Sequence, residues 1–256
     1  MIELQNVYAG YNGIDIIQDI SFKVKSGSNI CILGPNGCGK TTLLKAMGGI
    51  IPVKGDILVQ GNSIKKMKRH EIASKIAVLS QISNIYFSYT VYETVLLGRY
   101  LSMKNNIFRE ASERDKLYTE KCLKAVGLLG LKDKQINTLS GGQLQRVFLA
   151  RTLAQEPGII LLDEPTNHLD LRYQKELIDY LKAWSSEDGH TVIGVFHDIN
   201  LAIRLADNIL VMEDGKVAGF GKAEEIVNDE ILNRVYNMDI AGYMVDSLRQ
   251  WENLQR

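Results

Sequence analysis

Gly34-Pro35-Asn36-Gly37-Cys38-Gly39-Lys40-Thr41-Thr42 is the most informative run of residues in this 256-residue chain. The pattern Gly-x-x-x-x-Gly-Lys-Thr turns successive backbone N–H groups inward, around the oxygens of a phosphate chain. Gly34, Gly37 and Gly39 admit backbone conformations and a close approach that side chains block. Lys40 brings a cation to the phosphates, and the Thr41 hydroxyl suits a divalent metal ion. Residues 29–33 before the run form a short apolar strand, and residues 41–47 after it are helix formers. The N-terminal dipole of that helix adds to the anion site. Strand, loop and helix in this order is the context the motif requires.

Upstream of the loop, residues 2–7 and 20–24 read as strands, with a turn around Asn12-Gly13. Downstream, 55–59 and 76–79 are strands. From Thr90 to Gln155 strand signals vanish and helical patterning takes over, at 91–99, 110–126 and 142–154. After Pro157 the alternation resumes, with strands at 159–163, 191–196, 209–212 and 217–220 and helices at 171–184 and 199–206. This alternation predicts an α/β fold with a largely parallel sheet covered by helices. The expected organisation is one domain over 1–256. Its α/β core comes from 1–88 and 156–256, and 89–155 is an inserted helical part.

Ile159-Ile160-Leu161-Leu162-Asp163-Glu164 is a buried strand that delivers two carboxylates at its end, where an open α/β sheet places its ligands. Asp163 is expected to hold Mg²⁺, directly or through water. Glu164 is the candidate general base for an attacking water. Leu139-Ser140-Gly141-Gly142-Gln143 precedes an amphipathic helix. Ser140 suits its N-cap, and a helix start with two glycines is an exposed anion site.

Thirty basic residues balance thirty acidic ones, which gives no support for bulk attraction to nucleic acid or an anionic membrane. No apolar run approaches the roughly 18 residues of a membrane span, and the N-terminus lacks the pattern of a signal peptide. Cys31, Cys38 and Cys122 show no metal-ligand spacing, and their number suits a reducing cytosol. Lys40 and the helix dipole are expected to favour a reactive Cys38 thiolate. Cys31 reads as core, and Cys122, on a helix, as open to reagents.

Taken together, these motifs resemble those of the ABC ATPases over essentially the whole chain. The resemblance implies a P-loop NTPase core, an N-terminal antiparallel β subdomain and an inserted helical subdomain. It implies ATP and Mg²⁺ bound by the whole loop, Gly34 to Thr42, with Tyr11 stacked on the adenine. Gln81 matches the family's glutamine at the join to the helical part, touching Mg²⁺ or the attacking water and sensing a membrane subunit. His197 matches the switch histidine beside the γ-phosphate, and Asp170 the aspartate that communicates across a dimer. Ser140, Gly141, Gly142 and Gln143 match the signature that caps a nucleotide held by a second copy of the chain, head to tail. Cysteine at position 38 stands where many relatives have serine or alanine.

The stretches 90–99 and 165–174 resemble the branch that imports iron–siderophore, haem or cobalamin; relatives with the same features carry molybdate or tungstate. The implied partners are integral-membrane permease subunits, an indirect extracytoplasmic substrate-binding protein, and no nucleic acid. The implied location is peripheral, on the cytoplasmic face of the membrane. A non-transport ABC ATPase of translation, repair or cluster assembly is the competing reading. Repair-type members carry a long coiled coil, and no sustained heptad run exists here. Translation-type members usually fuse two such domains. A nucleotide-binding scaffold with dead chemistry is the third class, and Lys40, Asp163, Glu164 and His197 argue against it.

Overall fold

The chain begins with a hairpin: β1 (Ile2–Tyr11) and β2 (Ile14–Val24) pair antiparallel, with Tyr11 opposite Ile14. Asn12 and Gly13 alone make the turn, at φ of 53° and 81°. Positive φ at both positions is the type I′ geometry, which follows the twist of the strands. The second strand starts at Ile14 rather than near residue 20 because the hairpin is bulged. Its register shifts between Leu4 and Val7 and again between Val7 and Ala9. Asn6 and Asp19 take φ of 46° and 52° there, and Asn6 Nδ2 donates to Asp19 Oδ1 at 2.8 Å. Each inserted residue breaks the period-two alternation by which a strand is read from sequence.

The structure is a computed structural model, and it describes residues 1–80, 89–103, 110–167, 169–187, 189–227 and 229–254. After the hairpin come β3 (Asn29–Leu33), α1 (Lys40–Met47), β4 (Lys54–Val59), the short β5 (Asn62–Ser63), α2 (Arg69–Ala73) and β6 (Ile76–Leu79). Four strands form an antiparallel sheet in the order β2-β1-β4-β5.

The described residues after β6 then turn helical: α3 (Val91–Leu96), α4 (Tyr100–Met103), α5 (Glu113–Ala125) and α6 (Gly141–Ala154). Thr90, Ser112 and Ser140 start three of these helices with capping boxes, closed by Glu93, Asp115 and Gln143. Each box satisfies N–H groups that the first turn leaves without partners. Arg99, 2% exposed, binds Asp115 at 2.9 Å, Glu156 at 2.6 Å and the Ala154 carbonyl at 2.8 Å. It thereby joins the beginning of the helical stretch to its end. Burial alone would raise the Asp115 carboxyl, but Ser102, Ser112 and Arg99 hold it well below the usual carboxylate range.

The second half supplies β7 (Ile159–Asp163), α7 (Leu171–Ser186), β8 (Thr191–Val195), α8 (Ile199–Leu205), β9 (Asn208–Glu213) and β10 (Lys216–Gly221). The larger sheet runs β10-β9-β3-β8-β7-β6, parallel except for the β9–β10 hairpin. Alternate residues serve two cores. Ile30, Ile32, Leu161 and Val195 pack towards the antiparallel sheet and α1. Cys31, Leu33, Leu162 and Val192 pack with residues of α6, α7 and α8. Fully burying one such side chain is worth roughly 1.5–3 kcal/mol. Three helices that the sequence reading did not mark end the chain: α9 (Ala223–Ile226), α10 (Asp229–Tyr236) and α11 (Ile240–Leu254). No described helix is long and apolar enough to cross a membrane.

Candidate active site

The parallel strands end on one edge, and the candidate residues follow from there. The loop at 34–39 joins β3 to α1, with Gly34, Gly37 and Gly39 at φ of 145°, 84° and 102°. At Gly34 glycine is required: a Cβ would lie 2.3 Å from the Met212 carbonyl oxygen. The β9–β10 turn supports the loop from behind, since the Gly215 N–H donates to the Cys38 carbonyl at 3.1 Å. Lys40, 6% exposed, donates to the carbonyls of Gly34 at 2.7 Å and Pro35 at 2.8 Å. Its amine is therefore held over the loop, at the start of α1.

β7 brings Asp163 beside this loop, and Thr41 Oγ1 donates to Asp163 Oδ1 at 3.1 Å. Burial raises the Asp163 carboxyl above its usual range, opposed by the Thr41 hydrogen bond. A hydroxyl and a carboxylate side by side are hard oxygen donors, the set that Mg²⁺ takes. The site thus fits the metal on donor chemistry.

Glu164 follows at φ 53°, the left-handed region, which is uncommon for a residue other than glycine. Its N–H donates to the Val195 carbonyl at 3.2 Å. Its carboxylate lies 2.7 Å from His197 Nε2 and also accepts from Asn167 Nδ2. The end of β7 and the residues after β8 therefore place an acid and an imidazole in contact, beside the phosphate loop.

Tyr11, at the end of β1, is 43% exposed, with Lys45 of α1 5.9 Å from its ring centroid. The Lys45 contact sets the Tyr11 ring beside α1, the helix that the phosphate loop begins. Ser140 and Gly141 are exposed at the start of α6. Ser140 Oγ accepts from the Gln143 N–H at 3.3 Å, and Gln143 Oε1 accepts from the Ser140 N–H at 3.1 Å. The box thus pairs the N–H groups of Ser140 and Gln143, on a different element from the phosphate loop. Asp170 caps α7, accepting from the Tyr173 N–H at 3.0 Å. Gln81 lies outside the described residues.

The sequence reading of Cys38 is corrected. Its side chain is 5% exposed and packs among apolar core residues. Burial pushes its thiol up, outweighing the nearby Lys40 charge. Cys122 is corrected too: it faces the core, is 3% exposed and is pushed up to about 12. Cys31 is buried, as expected. A maleimide should therefore label none of the three in native protein, with or without Mg-ATP, and all three after denaturation. Peptide mass spectrometry reads the result, and rapid native labelling of Cys38 would contradict the burial found here.

Three residues escaped the sequence reading. Asn167 was legible only as part of the 165–174 resemblance. Gln145 Nε2 donates to the carbonyls of Glu164 at 3.1 Å and Pro165 at 2.9 Å. Tyr236 Oη, in α10, accepts the Gly34 N–H at 2.9 Å. A glutamine in a helix and a tyrosine 202 positions from the loop carry no local signal of such contacts.

This fold and this set of residues define a P-loop nucleotide-binding protein. A family model described as ABC transporter matches residues 17–167. The chain belongs to the ABC transporter family. It is 35% identical over 239 residues to the probable siderophore transport system ATP-binding protein YusV of Bacillus subtilis, covering 93% of this chain and 86% of that one. Among solved structures it resembles an inward-facing putative metal-chelate type ABC transporter, with TM-score 0.78, 29% identity and coverage of 92% and 88%. It also resembles a dimeric ATP-binding cassette in a post-hydrolysis state with ADP and Pi, with TM-score 0.76, 31% identity and coverage of 87% and 98%. One curated relative is longer, and the chain spans 56% of its length.

Proposed function

We propose that the chain is the ATP-binding and ATP-hydrolysing subunit of an importer of metal chelates, of the iron–siderophore, haem or cobalamin type. The observation that carries the ATPase reading is one edge of one sheet. Lys40, the Thr41–Asp163 pair and the Glu164–His197 pair all stand there. The siderophore relative and the metal-chelate transporter structure support the cargo class.

ATP lies on the loop with its adenine on Tyr11. Lys40 and the inward N–H groups neutralise the β- and γ-phosphates. Thr41 and Asp163 would hold Mg²⁺, which would offset the negative charge of the phosphates. Glu164 orients the attacking water and takes its proton, and His197 fixes the Glu164 carboxylate beside the γ-phosphate. Catalysis is mostly positioning and charge neutralisation.

Two copies face head to tail. The 140–143 segment of each caps the nucleotide on the loop of the other, and Asp170 stands in the contact between them. The dimeric cassette with ADP and Pi supports the pairing of two copies. Permease subunits on other chains bind the helical part at the cytoplasmic face of the membrane, with Gln81 at the join. An extracytoplasmic protein delivers the cargo to them.

Mixing chains tests the trans arrangement. Ser140→Arg and Lys40→Ala should each be inactive alone, whereas their mixture should regain activity, because one site per heterodimer is intact. No gain in a mixture shown to form heterodimers would refute the cap in trans. Purifying the native membrane complex and identifying its cargo by mass spectrometry tests the import reading. A complex without a permease would overturn it.

A further inference from the structure

The peptide carrying the candidate base is strained twice over. Glu164 is a non-glycine residue at φ 53°, and it precedes Pro165, a position that favours extended backbone. Such a conformation costs of order 1–3 kcal/mol and persists only where its surroundings hold it. Several of its holds are local to the end of the parallel sheet. They include the Val195 carbonyl, the His197 and Asn167 side chains, and the Asn167 N–H, which donates to the Glu164 carbonyl at 3.3 Å. Another comes from the helical part: the amide of Gln145, one NH₂ group shared between the Glu164 and Pro165 carbonyls.

Gln145 belongs to α6, whose first turn is the exposed 140–143 segment. Gln145 lies five positions after Ser140, an axial distance of about 7.5 Å. α6 is rigid over that length. Val147, Ala150, Leu153 and Ala154 bury its inner face, and the guanidinium of neighbouring Arg146 lies 3.8 Å over the Tyr173 ring of α7. A small shift of the helix start must therefore move the Gln145 amide as well.

We infer that Gln145 is a positioning residue that sets the Glu164 carboxylate according to the placement of α6, so that engagement of the 140–143 segment by a second copy is felt at the base of its own chain. This deepens the ATPase reading above and rests on it. Among the described residues the Gln145 amide bonds to the Glu164 and Pro165 carbonyls and not to the 34–42 loop, so its effect falls on turnover and not on nucleotide affinity.

Two variants and one cycle test it. Gln145→Met keeps the length and removes the donor. Its kcat should fall by about 10-fold to 100-fold, the scale of misplacing a reacting group, with KM and ATP affinity unchanged. In a Glu164→Gln background the same substitution should cost nothing further, because both changes act on one group. Gln145→Glu sets a carboxyl against the two carbonyls, where only its protonated form donates. Its rate relative to wild type should rise as pH falls from about 8 to about 6, since two carbonyl dipoles raise the carboxyl. Single-turnover hydrolysis and nucleotide binding read all of these. Full, independent losses in the double variant, a matching loss of ATP affinity, or a pH-independent Gln145→Glu defect would each overturn the inference. If Glu164→Gln itself turns over like wild type, the base assignment fails instead. An inactive Glu164→Gln beside a fully active Gln145→Met rejects the positioning role alone.

Discussion

Glu164→Gln should bind ATP as wild type does and hydrolyse it roughly 10²–10⁴-fold more slowly, the loss expected when a positioned base is removed. Glutamine matches the side-chain length, so the backbone holds at Val195 and Gln145 survive. The amide cannot accept a proton from water. One of its two ends also presents N–H groups where the carboxylate met His197 and Asn167. On the proposed head-to-tail dimer, in which ATP bridges two copies until its γ-phosphate is lost, this variant should accumulate as an ATP-bound dimer. Size-exclusion chromatography with Mg-ATP gives the answer. A variant that stays monomeric and turns over at the normal rate would remove Glu164 from the mechanism.

Lys40→Ala should abolish hydrolysis and sharply weaken ATP binding. Lys40 is the single side-chain cation in the 34–42 loop. It is buried to 6% exposure and already held by two loop carbonyls. No rotamer search is needed before it meets the phosphates. Removing one preorganised donor from a developing charge typically costs on the order of 10²–10³ in rate, and here a full charge goes with it. Phosphate release and nucleotide-binding titrations measure the two effects. A rate equal to wild type would sink the assignment of the loop.

The fold was legible where a single principle acts alone. β3, β6 and β7 are buried apolar runs with clear ends, and 76–79 and 159–163 were read to the residue. The β1–β2 hairpin was shortened in the reading because Asn6 and Asp19 interrupt its alternation. Helices α9 to α11 were not marked. α11 buries Ile240 but leaves Leu248, Trp251 and Leu254 in solvent, so its apolar pattern does not report a core. In the site, Lys40, Thr41, Asp163, Glu164 and His197 lay at the ends of readable strands, and the structure brings them together. Cys38 was misjudged because the direction of its side chain depends on tertiary packing, and proximity to Lys40 in sequence says nothing of it. Gln145 and Tyr236 act through contacts between distant elements, which no local pattern encodes.

The hydrogen bond from Gly34 to Tyr236 has a bearing on how the protein is made. Every motif of the site precedes residue 198, so a ribosome has released the whole catalytic set while α10 is still unmade. Domains synthesised from the N-terminus fold as their parts emerge. Until Tyr236 arrives, however, the first N–H of the phosphate loop lacks the phenol oxygen that accepts from it at 2.9 Å. A nascent chain can thus carry its complete chemistry before the loop is locked. The hydrogen bond that completes the loop comes from an element made after every residue of the site.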